Sequence, residues 1–310
     1  MTQLGRRFAG LTPSWLARTV QSPRTPDGPD DAPTAWFAVR EQGTVRCGLR
    51  RVPVHAVLAM TTEHILQTQG LTKDFRGFVA VKSVDLRVRR HSVHALIGPN
   101  GAGKTTCFNL LTKFLTPSAG TIHYRGIDIT HWKPAQVTRL GLVRSFQISA
   151  VFPHLTVLEN VRIALQRKRG RSFDFWRSQS VLAGFEPRAR ELLDAVGLGA
   201  FAGQRAVELS YGRKRALEIA TTLALDPETM LLDEPMSGLG HEDVGRIAAL
   251  IKSIRANRTI IMVEHNLGVV ADLCDRITVL ARGEILAEGD YATVSQKPEV
   301  IQAYMGTAHA

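Results

Sequence analysis

Residues 91–115 read HSVHALIGPNGAGKTTCFNLLTKFL, and this stretch decides the fold. HALI (94–97) is a short β-rich run, while TTCFNLLTKFL (105–115) carries apolar residues at helical spacing. Between strand and helix lies Gly98-Pro99-Asn100-Gly101-Ala102-Gly103-Lys104-Thr105, a phosphate-binding loop with every fixed position filled. Glycines at 98, 101 and 103 let the backbone curl so that successive N–H groups face an anion. The following helix points its positive N-terminus at the same place. Lys104 supplies a point charge for β- and γ-phosphates, the Thr105 hydroxyl suits Mg²⁺, and Thr106 adds a donor.

Working outward, TMLLDEP (229–235) is apolar up to two adjacent carboxylates, about 130 residues after the loop. A buried parallel strand that ends in acids places them at the sheet edge where ligands bind in open α/β folds. Asp233 there would hold Mg²⁺ through water, and Glu234 would polarise an attacking water. ELSYGRKRALEIATTLAL (208–225) sets Ser210 and Gly212 just before a long apolar-periodic helix. Two readings stay open for it: a Ser-capped helix, or exposed N–H groups aimed at a phosphate. MVEHN (262–266) is another apolar strand reaching Glu264-His265. His265 is either a structural histidine or a γ-phosphate contact at the same sheet edge.

These pieces, in this order, resemble the nucleotide-binding subunit of ATP-binding cassette transporters over Met60 to about Gly306. The family signature LSGGQ is here LSYGR (209–213). That tyrosine variant is similar to the branched-chain amino acid importer branch, as are VEHNLGVVADLCDRITVLARGEILAEG (263–289) and the tail PEVIQAYMG (298–306). SFQISAVFPHLTVLENV (145–161) puts Gln147 at the family's glutamine-loop position.

The resemblance implies an α/β P-loop ATPase core with a mixed β-sheet, interrupted by a helical lobe at roughly 148–205. It also implies a head-to-tail dimer that sandwiches two ATP molecules. Lys104, Thr105, Asp233 and Glu234 would act with Gln147 and His265 in one subunit. Ser210, Tyr211 and Gly212 would reach the partner's ATP. Gln147 would contact Mg²⁺ or water, and Phe75 would stack on adenine; Phe78 and simple core packing remain alternatives for that ring. The implied partners are two permease subunits, a second cassette (identical or paralogous) and, indirectly, an extracytoplasmic solute-binding protein. The implied location is peripheral, on the cytoplasmic face of the membrane.

Two departures from the family pattern stand out. Arg213 replaces the usual glutamine, and Gly240 lacks the side chain expected to signal across the dimer. Full symmetry of the two sites is therefore not expected, and a paralogous cassette fits as the partner alongside an identical one. Met236 also stands where threonine is common.

The 310 residues are 44% hydrophobic and 22% charged, the balance of a globular protein, and no apolar run approaches the ~18–20 residues of a membrane span. Cys47, Cys107 and Cys274 are widely spaced, which argues against a disulfide framework or a zinc site. The net charge of +11 fits a solvated basic face plus a phosphate pocket, or else nucleic acid or an anionic membrane. No basic run is interleaved with aromatics, no long heptad insertion occurs and one cassette is present, so no nucleic-acid partner is expected.

The first 59 residues contain no lysine and six of the 14 prolines. A disordered extension over 1–59 is expected, with the cassette at 60–310. Met60 is a candidate natural start, and a targeting peptide is the alternative.

Overall fold

Five short strands buried on both faces form the centre of the molecule, as their continuous apolar runs require. The computed structural model describes residues 39–40, 44–47, 50–53, 63–145, 151–166 and 184–305. The central sheet contains β7 (Val93–Ile97), β10 (Leu142–Arg144), β11 (Thr229–Asp233), β12 (Thr259–Val263), β13 (Arg276–Ala281) and β14 (Glu284–Gly289). Their order is β10-β11-β12-β7-β13-β14. All neighbours are parallel except the β13–β14 hairpin at the edge, so the sheet is mixed as expected.

Strand alternation divides the side chains between two cores. Met230, Leu232, Ile260 and Met262 pack on one face with the helices, whereas Leu231, Ile261 and Val263 pack on the other. The second face is covered by an antiparallel sheet with β4 (His64–Phe75) at its centre. Its partners are β5 (Phe78–Val84), β6 (Arg87–Arg89) and β8 (Ala119–Tyr124), and β9 (Ile127–Asp128) pairs with β8. The loop helix α1 (Lys104–Leu111) lies on the same side, burying Cys107, Phe108, Leu110 and Leu111.

Helix α2 (Pro134–Leu140) precedes β10. The region expected as a helical lobe, 148–205, shows α3 (Val157–Gln166) and α4 (Glu186–Ala195), the latter opened by Pro187 in its first turn. A capping box starts α3: Thr156 N–H donates to Glu159 Oε2 at 2.7 Å, and Glu159 N–H to Thr156 Oγ1 at 3.1 Å. Helix α5 (Tyr211–Leu223) packs beneath this lobe. Next come α6 (His241–Ile254), α7 (Leu267–Leu273), α8 (Tyr291–Ser295) and α9 (Pro298–Met305). No helix among the described residues is long and apolar enough to cross a membrane.

The chain divides into two units, 1–54 and 55–310. In the first, where disorder is expected, Val39–Arg40, Thr44–Cys47 and Arg50–Pro53 pair as an antiparallel meander, β1-β2-β3.

Candidate functional site

Sheet order builds the site. Because β11, β12 and β7 are adjacent and parallel, their carboxyl ends bring Asp233-Glu234, Glu264-His265 and the Gly98 loop to one edge. Separations of 30 to 167 residues along the chain are closed by this register.

The loop leaves β7 at Gly98 and enters α1 through Gly103, with Gly98, Gly101 and Gly103 at φ +149°, +77° and +96°. A Cβ on Gly98 would stand 2.1 Å from Leu280 O, and one on Gly103 2.4 Å from Ala80 O. Both are therefore glycine for space as well as conformation. Asn100 and Thr105 are exposed, Pro99 and Thr106 half-buried, and Ala102 buried. Lys104 donates from Nζ to Gly98 O at 2.7 Å and Pro99 O at 2.9 Å, so its ammonium lies inside the curl. Burial lowers its pKa, and the carboxylates of Glu234 and Asp233 oppose that shift. The three charges thus share one field.

Asp233 ends β11 in an ion pair with Arg144, whose other arm donates to Asn109 Oδ1 of α1 at 2.5 Å. Glu234 follows in a left-handed conformation, φ +46°. Its Oε1 lies 2.7 Å from His265 Nε2. The structure therefore joins two residues that the sequence placed on separate strands. Glu264 is buried beside them. Its Oε1 accepts the N–H of Met236 at 2.8 Å, and its Oε2 accepts those of His265 at 3.0 Å and Asn266 at 3.3 Å.

Ser210 caps α5, its Oγ accepting the Arg213 N–H at 3.5 Å, which agrees with the capped-helix reading. Tyr211 is exposed with its ring against Gly238, and Gly212 is buried beside the Asp243 carboxylate. The Arg213 guanidinium stacks on the Phe201 ring at 4.0 Å. Gly240 stands just before α6, with open space where a Cβ would project.

Phe75 and Phe78 face each other across the Arg76-Gly77 turn, 43% and 68% exposed, with Lys73 Nζ 5.2 Å from the Phe75 ring. The Ala80–Gly103 approach sets this hairpin beside the loop. Gln147 lies outside the described residues. Sequence reasoning gave no role to Arg144, Glu264 or Tyr304. The Tyr304 hydroxyl meets the Gly98 backbone, and burial pushes its pKa up to about 12 against that bond. The tail PEVIQAYMG carried the only signal for it, as a resemblance without a role.

Oxygen donors dominate the edge that Thr105 and Asp233 share with the loop, and among the described residues no group of three or more His, Cys, Asp or Glu is placed to hold a metal ion by itself. That donor chemistry fits Mg²⁺, which takes one or two carboxylates, a hydroxyl and phosphate oxygens and keeps its waters.

Residues 81–237 match the ABC transporter family model. The chain is 38% identical over 257 residues to the high-affinity branched-chain amino acid transport ATP-binding protein LivG of Salmonella typhimurium, covering 80% of this chain and 100% of that one. It is 37% identical to the corresponding protein BraF of Pseudomonas aeruginosa, covering 79% and 98%. Among solved structures, the ADP conformation of MJ1267, an ATP-binding cassette of an ABC transporter, superposes with a TM-score of 0.71. It is 30% identical, and the match covers 79% of this chain and 100% of that one.

Proposed function

The chain belongs to the ABC transporter family, and from that membership we propose that it is the ATP-hydrolysing engine of an importer for branched-chain amino acids or related small solutes. One observation carries the mechanism: Lys104, Asp233, Glu234 and His265 converge at the ends of three adjacent parallel strands. A triphosphate in the Gly98–Thr105 curl meets backbone N–H groups, the end of α1 and the Lys104 ammonium. Glu234 is the base that orients and deprotonates the attacking water, and His265 holds its carboxylate through the 2.7 Å contact. Thr105 and Asp233, with Gln147, are the residues that would hold Mg²⁺, which supplies neutralisation of the β- and γ-phosphate oxygens. Arg144 fixes Asp233 from behind. Phe75 is the ring offered to adenine.

Ser210, Tyr211 and Gly212 present the N-terminus of α5 to ATP on a second cassette, identical or paralogous. Binding of ATP across both subunits favours closure, and loss of the γ-phosphate releases it. The permeases dock in a groove of about 670 Å³ lined by Phe114, Thr138, Leu142, Ile163 and Leu225, between the core and the helical lobe. Two permeases and an extracytoplasmic solute-binding protein complete the assembly, with this subunit peripheral on the cytoplasmic face. Relatives matched over their full length, which are named for branched-chain amino acid transport, support this cargo class.

Glu234→Gln tests the reading. The variant should bind Mg·ATP, hydrolyse it at least about 100-fold more slowly, and form an ATP-dependent dimer on a sizing column, alone or with a paralogous cassette. Normal turnover in that variant, or no dimer in either mixture, contradicts the reading.

A further inference from the structure

Glu234 holds a left-handed backbone conformation, φ +46°, that a non-glycine residue adopts only at an energetic cost. Two bonds hold it there. Its N–H donates to Val263 O at 2.9 Å, and its C=O accepts from Arg215 Nη2 at 2.9 Å. Arg215 is 4% exposed and pairs through Nη1 with Glu218 Oε2 at 2.6 Å, one turn along α5. Glu218, 2% exposed, accepts at its other oxygen from Ser145 Oγ at 2.7 Å. A single buried chain of contacts therefore runs from the end of β10 through α5 to the peptide of Glu234.

Such a chain is expensive. Burial raises the Glu218 carboxyl, a shift that Arg215 and the Ser145 hydroxyl oppose. Arg215 Nε has no hydrogen-bond partner among the described residues. A buried ion pair of this kind commonly adds no net stability over well-packed apolar groups, so stability alone does not explain it. What the arrangement does supply is a rigid fork with one arm on Glu218 and the other on the Glu234 carbonyl.

We propose that Arg215 is a positioning residue that sets the Glu234 carboxylate for catalysis. The Ser145–Glu218–Arg215 chain makes that setting respond to both helix α5 and the end of β10. Arg215 sits five residues past the Ser210 cap of α5, and Ser145 directly follows the last residue of β10. A shift of α5 or of the β10 end thereby moves the Glu234 peptide, and its carboxylate leaves His265. This inference rests on Glu234 acting as the base.

The test uses full-length protein, with ATPase rates and thermal melting measured for R215M/E218M and R215K. The double variant removes both charges at similar volume, so a purely structural role predicts an unchanged kcat. The expected result is a kcat at least about tenfold lower, with KM for ATP within about twofold and a melting temperature within a few degrees. R215K keeps a charge for Glu218 but lacks the second arm, so it should fail to restore kcat; it also carries the test should the double variant not fold. Parent-level kcat in either folded variant overturns the inference. An inactive parent protein would instead sink the functional reading on which it rests.

Discussion

Gly103 has no room for a side chain, since a Cβ would stand 2.4 Å from the backbone of Ala80 at φ +96°. Gly101 also has positive φ, +77°, but nothing lies within 4 Å of its Cβ position. The two glycines should therefore respond differently. Gly103→Ala should lose about 2–3 kcal/mol of stability and Gly101→Ala about 1 kcal/mol, read from denaturant unfolding. Equal losses would show that the Ala80 contact is irrelevant. The same pair marks how far the sequence could be read. The glycines, Lys104, Asp233, Glu234 and Ser210 were legible because local spacing carries their chemistry. Glu264 and Arg215 were not, because each acts on backbone atoms, 28 residues away at Met236 and 19 at Glu234. The fold creates those partners, and no motif prints them.

At the scale of elements, β7, β11 and β12 were visible as apolar runs, and their expected ends carry the expected groups. Strand β10 is three residues long and gave no period to detect, although its Arg144 pairs with Asp233 and Ser145, just past its end, donates to Glu218. Strand β7 also buries His94 completely, with Nε2 2.8 Å from Thr278 Oγ1 of β13. Burial, with Arg276 adding repulsion, lowers its pKa to about 3 from 6.5. Between those values the unfolded chain binds the proton and the folded chain does not, so stability rises with pH across the window. From pH 7 to pH 5 this group alone should remove about 2 kcal/mol. His94→Gln should lose that much less over the same interval in urea unfolding at the two pH values. Parallel pH dependence in the two proteins would show that His94 does not titrate in this way.

For the whole molecule, the layered order was legible in outline: a P-loop core with a mixed sheet, and helices inserted between the loop and the acidic strand. The antiparallel sheet over the second core shows in the sequence only where MTTEHILQTQGLTKDF (60–75) alternates as a strand would, because its strands pair across turns and long connections. The two cores meet at the central sheet, so the strand ends that hold the site are fixed from both faces. That rigidity keeps Lys104 inside the loop and within the field of the acidic pair before any substrate arrives. The central claim is this preorganised triphosphate grip, and Mg·ATP affinity of the purified full-length protein measures it most directly. The account predicts a Kd between about 1 μM and 1 mM, weakened at least tenfold by Lys104→Ala, or about 1.4 kcal/mol. No measurable binding, or a Lys104→Ala variant that binds as the parent does, would contradict it.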